Sequence, residues 1–464
     1  MIHNQELLDI VTTLTSAGGK PYLVGGAVRD LVMGTSKPKD LDIEVYGLPV
    51  AKIIEILNLF GKVDQVGAAF GVIILKTRKG GDYDVSVPRR ESKAGRGHKG
   101  FIMEPDPTMT PKEACLRRDF TINSLLYDFE EKNIIDYYGG VKDIQDGVLR
   151  HVSSAFAEDP LRVLRGMQFA GRFNMTVAPE TAELCRSLIG EYKDLPVERV
   201  WTEWEKWATK SVKPSAGLQF LRDTGWIKLY PALEAMIDVP QHPDWHPEGG
   251  VWTHVCVHVI DYMQSIAEEM PTEEKTMLML TALCHDLGKP STTEYMRDSK
   301  DTPGTEAYRS HGHAEAGVEL SEKFLTKIGC LRSIIDKVKP LVKYHLAHSN
   351  RDMNKRTVRR LAVKLHPASI QELCWLIEAD ASGRPPKPTG LPEVAQKILD
   401  LSQELEITLD KPKPMLMGRM LLKEKLIKPG PAMGKIIAES FQAQLDGVFE
   451  DAEGALEWAK EKLQ

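Results

Sequence analysis

A double glycine set between a short apolar strand and a short helix constrains this chain most. Tyr22 to Val24 reads as a strand, Gly25-Gly26 as a tight turn, and Ala27 to Met33 as a helix closed by Gly34. Two adjacent glycines let backbone amides come close to a polyphosphate, and the helix that follows points its positive end at the same place. Asp40-Leu41-Asp42 comes next and opens the alternating run Asp40 to Val45. Residues i and i+2 of a strand face the same way, so both carboxylates project from one surface and can hold divalent cations together. Alternation alone is what any half-buried strand with a wet face displays. Strand, glycine turn, helix and acidic strand in that order point further, to a nucleotide site. No Gly-Lys-Ser/Thr follows, and this turn lacks the Gly-x-Gly-x-x-Gly pattern, so it is neither a Walker loop nor a dinucleotide fingerprint.

A second acidic strand, Asp82-Tyr83-Asp84-Val85-Ser86, places Asp82 and Asp84 on one face and offers a third carboxylate, Asp84. Two metal ions about 3.5–4 Å apart clamp the attacking and leaving oxygens of an in-line displacement at phosphorus. Arg117-Arg118-Asp119-Phe120-Thr121-Ile122-Asn123 then brings guanidiniums, a carboxylate and an amide into one short segment. Forked arginine donors suit phosphate oxygens; a salt bridge to Asp119 is the competing use. In Glu158-Asp159-Pro160-Leu161-Arg162-Val163-Leu164-Arg165, Asp159 is expected as a helix N-cap with Pro160 at the first helical position. The same geometry serves base reading. Asp159 can accept from an exocyclic amino group while Arg162 donates to the neighbouring ring acceptor, a pattern shared by cytosine and adenine and absent from uracil and guanine.

The chain has 464 residues, enough for about three or four units. Six cysteines scattered without a Cys-x-x-Cys pair argue against a disulfide framework or a cysteine zinc site and fit a reducing cytoplasm. No apolar run is long enough to span a bilayer, and no obligate protein partner is evident. The net charge of -6 hides a local excess: Lys76 to Lys99 holds eight Lys or Arg against three acids, suited to a phosphate backbone or to a solvated loop.

Up to about residue 140, strand and helix signals mix: helices at Gln5 to Thr15 and Val50 to Phe60, strands at Phe70 to Thr77 and Tyr83 to Val87. Beyond about Arg150 the signals are helical, including Leu161 to Phe173, Val197 to Thr209, Val255 to Ser265 and Lys275 to His285. The expected fold class is α+β, with an α/β head followed by helical segments and Pro/Gly-rich breaks before a C-terminal tail.

These residues resemble the class II tRNA nucleotidyltransferases, the CCA-adding enzymes, and the related bacterial poly(A) polymerases. The resemblance rests on five elements in order: Leu23 to Asp42, Arg117 to Asn123, Asp136-Tyr137-Tyr138-Gly139-Gly140 with Asp143, Glu158 to Arg165, and Pro196 to Glu203. It implies a nucleotidyltransferase head over 1–145, a helical neck over 146–215, a helical body over 216–390 and a helical tail over 391–464. It further implies addition of C, C and A to the tRNA 3′ end from CTP and ATP without a template. By the same resemblance Gly25, Gly26 and Arg29 contact the triphosphate, Asp40 and Asp42 bind Mg²⁺, Arg117, Asn123 and Arg165 hold the nucleotide, and Asp159 and Arg162 select the base. The segment Arg90 to Leu116, with Gly95, Gly97 and Gly100, looks like the loop that accompanies the switch from C to A addition. Asp84 stands where many members have Glu, Pro88 is unusual, and Ser124 replaces a common alanine.

A second constellation comprises His254, His285-Asp286, His311, His313, His345, His348 and Asp380. Imidazole and carboxylate ligands suit Ni²⁺, Zn²⁺, Mn²⁺ or Mg²⁺. The order His, His-Asp, Asp, with Ala282-Leu283-Cys284-His285-Asp286-Leu287-Gly288-Lys289, resembles the HD metal-dependent phosphohydrolases. That implies His254, His285, Asp286 and Asp380 as primary ligands, His313 and His345 as lesser candidates for a second metal, and phosphatase or 2′,3′-cyclic phosphodiesterase activity on RNA ends. An A-only or poly(A)-adding transferase, and an HD hydrolase with an RNA-binding head, are the competing readings.

Overall fold

The computed structural model describes residues 4–35, 41–66, 72–93, 101–296, 307–350 and 352–464. Asp40 and the glycines at 95, 97 and 100 lie outside the described residues. Two compact units divide the chain, Met1–Leu229 and Tyr230–Gln464.

A seven-stranded sheet organises the first unit. Its strands are β1 (Lys20–Val24), β2 (Asp42–Tyr46), β3 (Gly61–Val66), β4 (Val72–Thr77) and β5 (Asp82–Ser86), with β6 (Arg89–Lys93) and β7 (Phe101–Pro105) forming a separate ribbon, and β8 (Leu126–Asp128) and β9 (Asn133–Ile135) completing the sheet in the order β3-β4-β5-β2-β1-β8-β9. Only the β2–β5 pairing within that sheet is parallel. Alternation sorts the faces. Ile43, Val45, Ile73, Leu75, Tyr83 and Val85 turn to one side and pack against Leu7, Ile10 and Leu14 of the helix Gln5–Ser16 and Ile53, Ile56 and Leu57 of the helix Val50–Leu57. Asp42, Glu44 and Asp84 therefore stand on the opposite face, away from the apolar layer.

The Asp136-Tyr137-Tyr138-Gly139-Gly140 element is built as scaffold. Asp136 accepts from the backbone amides of Tyr138, Gly139, Gly140 and Val141 at 2.8–3.2 Å. A Cβ on Gly140 would meet the Thr121 carbonyl oxygen at 2.2 Å, so only glycine lets this helix start pack on the Thr121–Asn123 turn. Asp143 locks the same turn by accepting from Thr121 Oγ1 at 2.6 Å. The helices Leu161–Phe173, Val197–Lys210 and Pro214–Asp223 follow in this unit, around a core that includes Trp204, Trp207 and Phe220.

Helices dominate the second unit, among them Thr272–Cys284, His313–Lys327, Arg332–Tyr344, Lys355–Leu365 and Ile370–Ser382. The expected helix at Val255 to Ser265 is a π-helical stretch, His254–Val259, running into the α-helix Ile260–Ile266. Such π turns recur at functional sites because the extra residue re-aims side chains. A hairpin, Thr293–Met296 with Ala307–Ser310, interrupts the helices; its strands are too short and polar to give a sequence signal. At the C-terminal end, Leu416, Leu421, Ile436, Phe449, Ala455 and Ala459 form their own small core. Asp446 accepts from Arg356 at 2.8 Å and from Arg360 at 2.6 Å. No helix among the described residues is long and apolar enough to cross a membrane.

Candidate nucleotide cleft and metal centre

Gly25 takes φ of 67°, a conformation that side chains other than glycine rarely adopt. A Cβ there would sit 3.8 Å from an Asp42 carboxylate oxygen and 3.5 Å from an Arg118 guanidinium nitrogen, so the turn packs directly against the acidic strand. Across the parallel β2–β5 pair, Asp42 is opposite Asp84. Two carboxylates thus stand side by side on the face free of the apolar layer, an oxygen set suited to a hard divalent cation. Glu44, two residues on and on the same face, accepts from Tyr46 at 2.6 Å and lies 3.6 Å from Arg118.

A cleft of about 1230 Å³ opens beside this turn and is lined by Gly25, Gly26, Arg29, Asp42, Arg117, Arg118, Asn123, Asp159, Arg162, Arg165 and Arg199, among others. Ten Lys or Arg and five carboxylates face it, which reverses the acidic balance of the whole chain and fits a polyanion. Its arginines are held, not splayed. Arg29, 4 % exposed, donates to Asp30 at 2.7 and 2.9 Å and to Asn123 Oδ1 at 2.6 Å, and its guanidinium lies 4.4 Å from the Phe173 ring centroid. Burial pulls that guanidinium below its ordinary pKa, an effect opposed by Asp30. Asn123 in turn donates to Asp119 at 3.0 Å, and Asp119 receives Arg165 through two N–H groups at 2.8 and 2.6 Å. Burial works to raise the Asp119 carboxyl, yet Arg165 and the hydrogen bonds hold it below the usual carboxylate range. Asp30, Arg29, Asn123, Asp119 and Arg165 are one continuous network.

Asp159 and Arg162 have their own supports. The helix begins at Leu161, one residue later than expected, and Pro160 occupies the capping position; the Asp159 carboxylate still accepts from the Leu161 amide at 3.2 Å. Arg199, from the helix Val197–Lys210, donates to Asp159 at 2.8 Å. Arg162 donates to the carbonyls of Ala155 at 2.7 Å and Arg117 at 2.9 Å, and Arg117 pairs with Glu158 at 2.9 Å. Sequence reasoning placed Glu198-Arg199 only within a motif and treated Asp119 only as a salt-bridge partner; their sites depend on long-range packing that no local pattern carries.

In the second unit, His254, His285, Asp286, His345 and Asp380 are 0–3 % exposed and His313 is 8 % exposed. They converge on Asp286. His285 Nε2 is 3.3 Å, His313 Nε2 3.2 Å, His345 Nε2 3.7 Å and His254 Nε2 3.8 Å from its carboxylate oxygens, while His254 Nε2 is 3.1 Å from Asp380. His313 and His345, expected as the lesser ligands, are as close to Asp286 as the rest. His311 is exposed, and His348 contacts the His345 carbonyl through Nδ1 at 3.2 Å.

Tautomers follow from the outer contacts. The Nδ1 atoms of His285, His313 and His345 each face a backbone carbonyl at 2.7 Å, of Ala282, Ser310 and Val342, so each donates there and aims an Nε2 lone pair inward. His313 Nε2 and His345 Nε2 then face each other at 3.2 Å as two acceptors. His285 Nε2 and Asp286 Oδ1 are buried without a hydrogen-bond partner. Acceptors pointed at acceptors in a dry site are what a cation resolves, and imidazole with carboxylate suits a divalent transition metal.

Glu248, absent from the sequence-based set, has a fully buried side chain and lies 2.8 Å from both His246 Nδ1 and His254 Nδ1. Burial opposes its charge, but those hydrogen bonds outweigh it and bring the carboxyl down to about 2. Lys289 contacts Asp286 at 2.6 Å and Arg384 contacts Asp380 at 2.6 Å, so both acids have a cationic neighbour.

Residues 21–150 match the poly A polymerase head domain family, and residues 251–382 match the HD domain family. The multifunctional CCA protein of Xanthomonas campestris pv. campestris strain B100 is 35 % identical over 376 residues, covering 79 % of this chain and 85 % of that protein. The Bacillus stearothermophilus CCA-adding enzyme, solved in complex with CTP, superposes with a TM-score of 0.67 at 19 % identity over 99 % of this chain and 97 % of that one. The Thermotoga maritima CCA-adding enzyme complexed with tRNA gives a TM-score of 0.59 at 18 % identity, over 99 % and 96 % of the two chains. Glycine turn, acidic strand, arginine cleft and histidine centre thus occur together in a chain that belongs to the family of CCA-adding tRNA nucleotidyltransferases and poly(A) polymerases, with an HD domain following the head.

Proposed function

We propose that the chain adds C, C and A to the tRNA 3′ end, using CTP and ATP without a nucleic-acid template. One cleft carries this reading: the Gly25-Gly26 turn, the acidic strand and the Asp159/Arg162 pair all open onto it. Asp42, Asp84 and, in the sequence, Asp40 are the residues that would hold Mg²⁺. Bound there, the metal supplies charge neutralisation at the reacting phosphate and activates the tRNA 3′ hydroxyl. Arg117 and Arg118 bind the triphosphate, while the network from Asp30 through Arg29 and Asn123 to Arg165 keeps the cleft wall rigid. The hydroxyl attacks the α-phosphorus, the new phosphodiester forms and pyrophosphate leaves. Asp159 accepts from the exocyclic amine of C or A and Arg162 donates to the adjacent ring nitrogen; UTP and GTP present a carbonyl to Asp159 and a ring N–H to Arg162, which penalises them. Six buried thiols suit a reducing cytoplasm.

Transcripts of tRNA ending before the first C, after one C and after two C residues, offered CTP, ATP or both, test this. Complete CCA ends are expected; A-only extension of the CC-ended transcript, with no C added to the shorter ones, defeats it in favour of an A-adding enzyme.

For the second unit we propose metal-dependent hydrolysis of phosphate esters at RNA ends, with His254, His285, Asp286 and Asp380 holding a divalent metal and His313 and His345 completing the set. The facing acceptor pair His313 and His345 supports it. The metal identity among Ni²⁺, Mn²⁺, Mg²⁺ and Zn²⁺ is read out by assaying each. Loss of 2′,3′-cyclic nucleotide hydrolysis in His285→Ala is expected; a parent protein inactive with every metal rejects it.

A further inference from the structure

The loop between Val239 and Gly250 ties three polar side chains, Gln241, His246 and Glu248, to the residues of the metal centre. Gln241 Oε1 accepts from Lys289 at 2.6 Å, and Lys289 contacts Asp286; His246 and His254 share Glu248. Trp245 stands between these anchors in the loop. It is 57 % exposed, and the Lys387 ammonium lies 5.1 Å from its ring centroid. Lys387 follows the helix Ile370–Ser382; its amide donates to the Arg384 carbonyl at 2.8 Å, and Arg384 pairs with Asp380. An indole and an ammonium are therefore linked to the same centre, the indole through its chain neighbour His246 and the ammonium through Arg384.

An exposed indole beside an ammonium offers a flat π face on which a ring system can stack. Here the neighbouring groups define what that is. A ligand reaching the centre carries a phosphate, attracted by Lys387, Arg384 and Lys289; one that also covers an indole carries a flat ring system. We infer that Trp245 and Lys387 form a base-stacking subsite at the mouth of the histidine centre, which takes the terminal nucleotide of an RNA whose 2′ or 3′ phosphate enters the centre. This rests on the phosphohydrolase reading above. Stacking tolerates every base, since each has a π face, so the subsite recognises nucleotides as a class and not one sequence.

Guanosine 2′,3′-cyclic phosphate is the suitable probe, because the proposed cleft in the first unit reads C and A. Its hydrolysis by the full-length protein is compared with that of 1-O-methylribose 2,3-cyclic phosphate, which lacks the base, for the parent, Trp245→Ala and Trp245→Phe. The ratio of KM values between the two substrates is expected to shift roughly tenfold against the guanosine compound in Trp245→Ala and to return close to the parent ratio in Trp245→Phe. Thermal unfolding of the same variants, followed by circular dichroism, reports intact folding. An unchanged ratio, or equal loss on both substrates, overturns the inference. Calorimetric titration with guanosine 2′-monophosphate separates the two readings: if the parent hydrolyses neither substrate, Trp245-dependent binding retains the subsite while hydrolysis falls, and binding indifferent to Trp245→Ala removes the subsite as well.

Discussion

Asp42 of β2 sits directly across from Asp84 of β5, in the one parallel pairing of the seven-stranded sheet. Parallel register puts both side chains on one face, so two acids far apart in sequence meet beside the Gly25 turn. Asp42→Ala is expected to reduce incorporation of both C and A by at least about a hundredfold, since it removes a charge from a metal-dependent displacement. Asp84→Asn should instead raise the Mg²⁺ concentration needed for half-maximal rate. Single-turnover extension at varied Mg²⁺ measures both, and a variant losing only A or only C would contradict a shared metal site.

Asp119 is buried and receives Arg165, Asn123 and the Phe120 amide. Asp119→Ala leaves the Asn123 amide and the Arg165 guanidinium without that acceptor, and should cost about 2–3 kcal/mol in urea unfolding, the Arg165 share being reduced by its partial exposure. Its carboxyl lies below its ordinary value, so the stabilisation is complete above the unfolded carboxylate pKa of about 3.9 and is lost as pH falls through the depressed folded value. The parent should therefore lose stability faster than Asp119→Ala on acidification below about pH 4.

Arg199 holds the Asp159 carboxylate at 2.8 Å from a neighbouring helix. Arg199→Ala should leave CTP and ATP usable but lower discrimination against UTP roughly tenfold, because an unheld acceptor adapts to the wrong edge. Asp159→Ala should relax it further. Competition between CTP and UTP on a tRNA ending before the first C decides the matter; unchanged selectivity in both variants would place base choice elsewhere.

Glu248 joins His246 and His254 through one carboxylate oxygen. Replacing it by glutamine keeps the shape and removes the charge that fixes the His254 tautomer, so metal affinity should fall about 10–100-fold. Competition with a chromophoric chelator reads this without reference to turnover. Equal affinity in Glu248→Gln and the parent would make the contact purely architectural.

Much of this was legible along the chain. Periods of two and 3.6 are local properties, so the Tyr22 to Val24 strand, the Gly25-Gly26 turn and the helices near Leu161 and Val197 emerge close to their observed limits. The composition of the His285-Asp286 run likewise points to the HD family that residues 251–382 match. Glu248 gave no such sign, because a lone Glu in a Pro/Gly-rich loop reads as solvated; its burial comes from the two imidazoles it meets.

Residue type and spacing therefore decided which side chains share a face and which chemistry they can perform, since backbone geometry repeats over a few residues. Which carboxylate Asp42 meets, which arginine holds Asp159, and whether four imidazoles aim their Nε2 atoms at Asp286 were settled by packing between segments tens of residues apart. Those contacts depend on register, helix crossing and outer hydrogen bonds, and no short-range pattern encodes them.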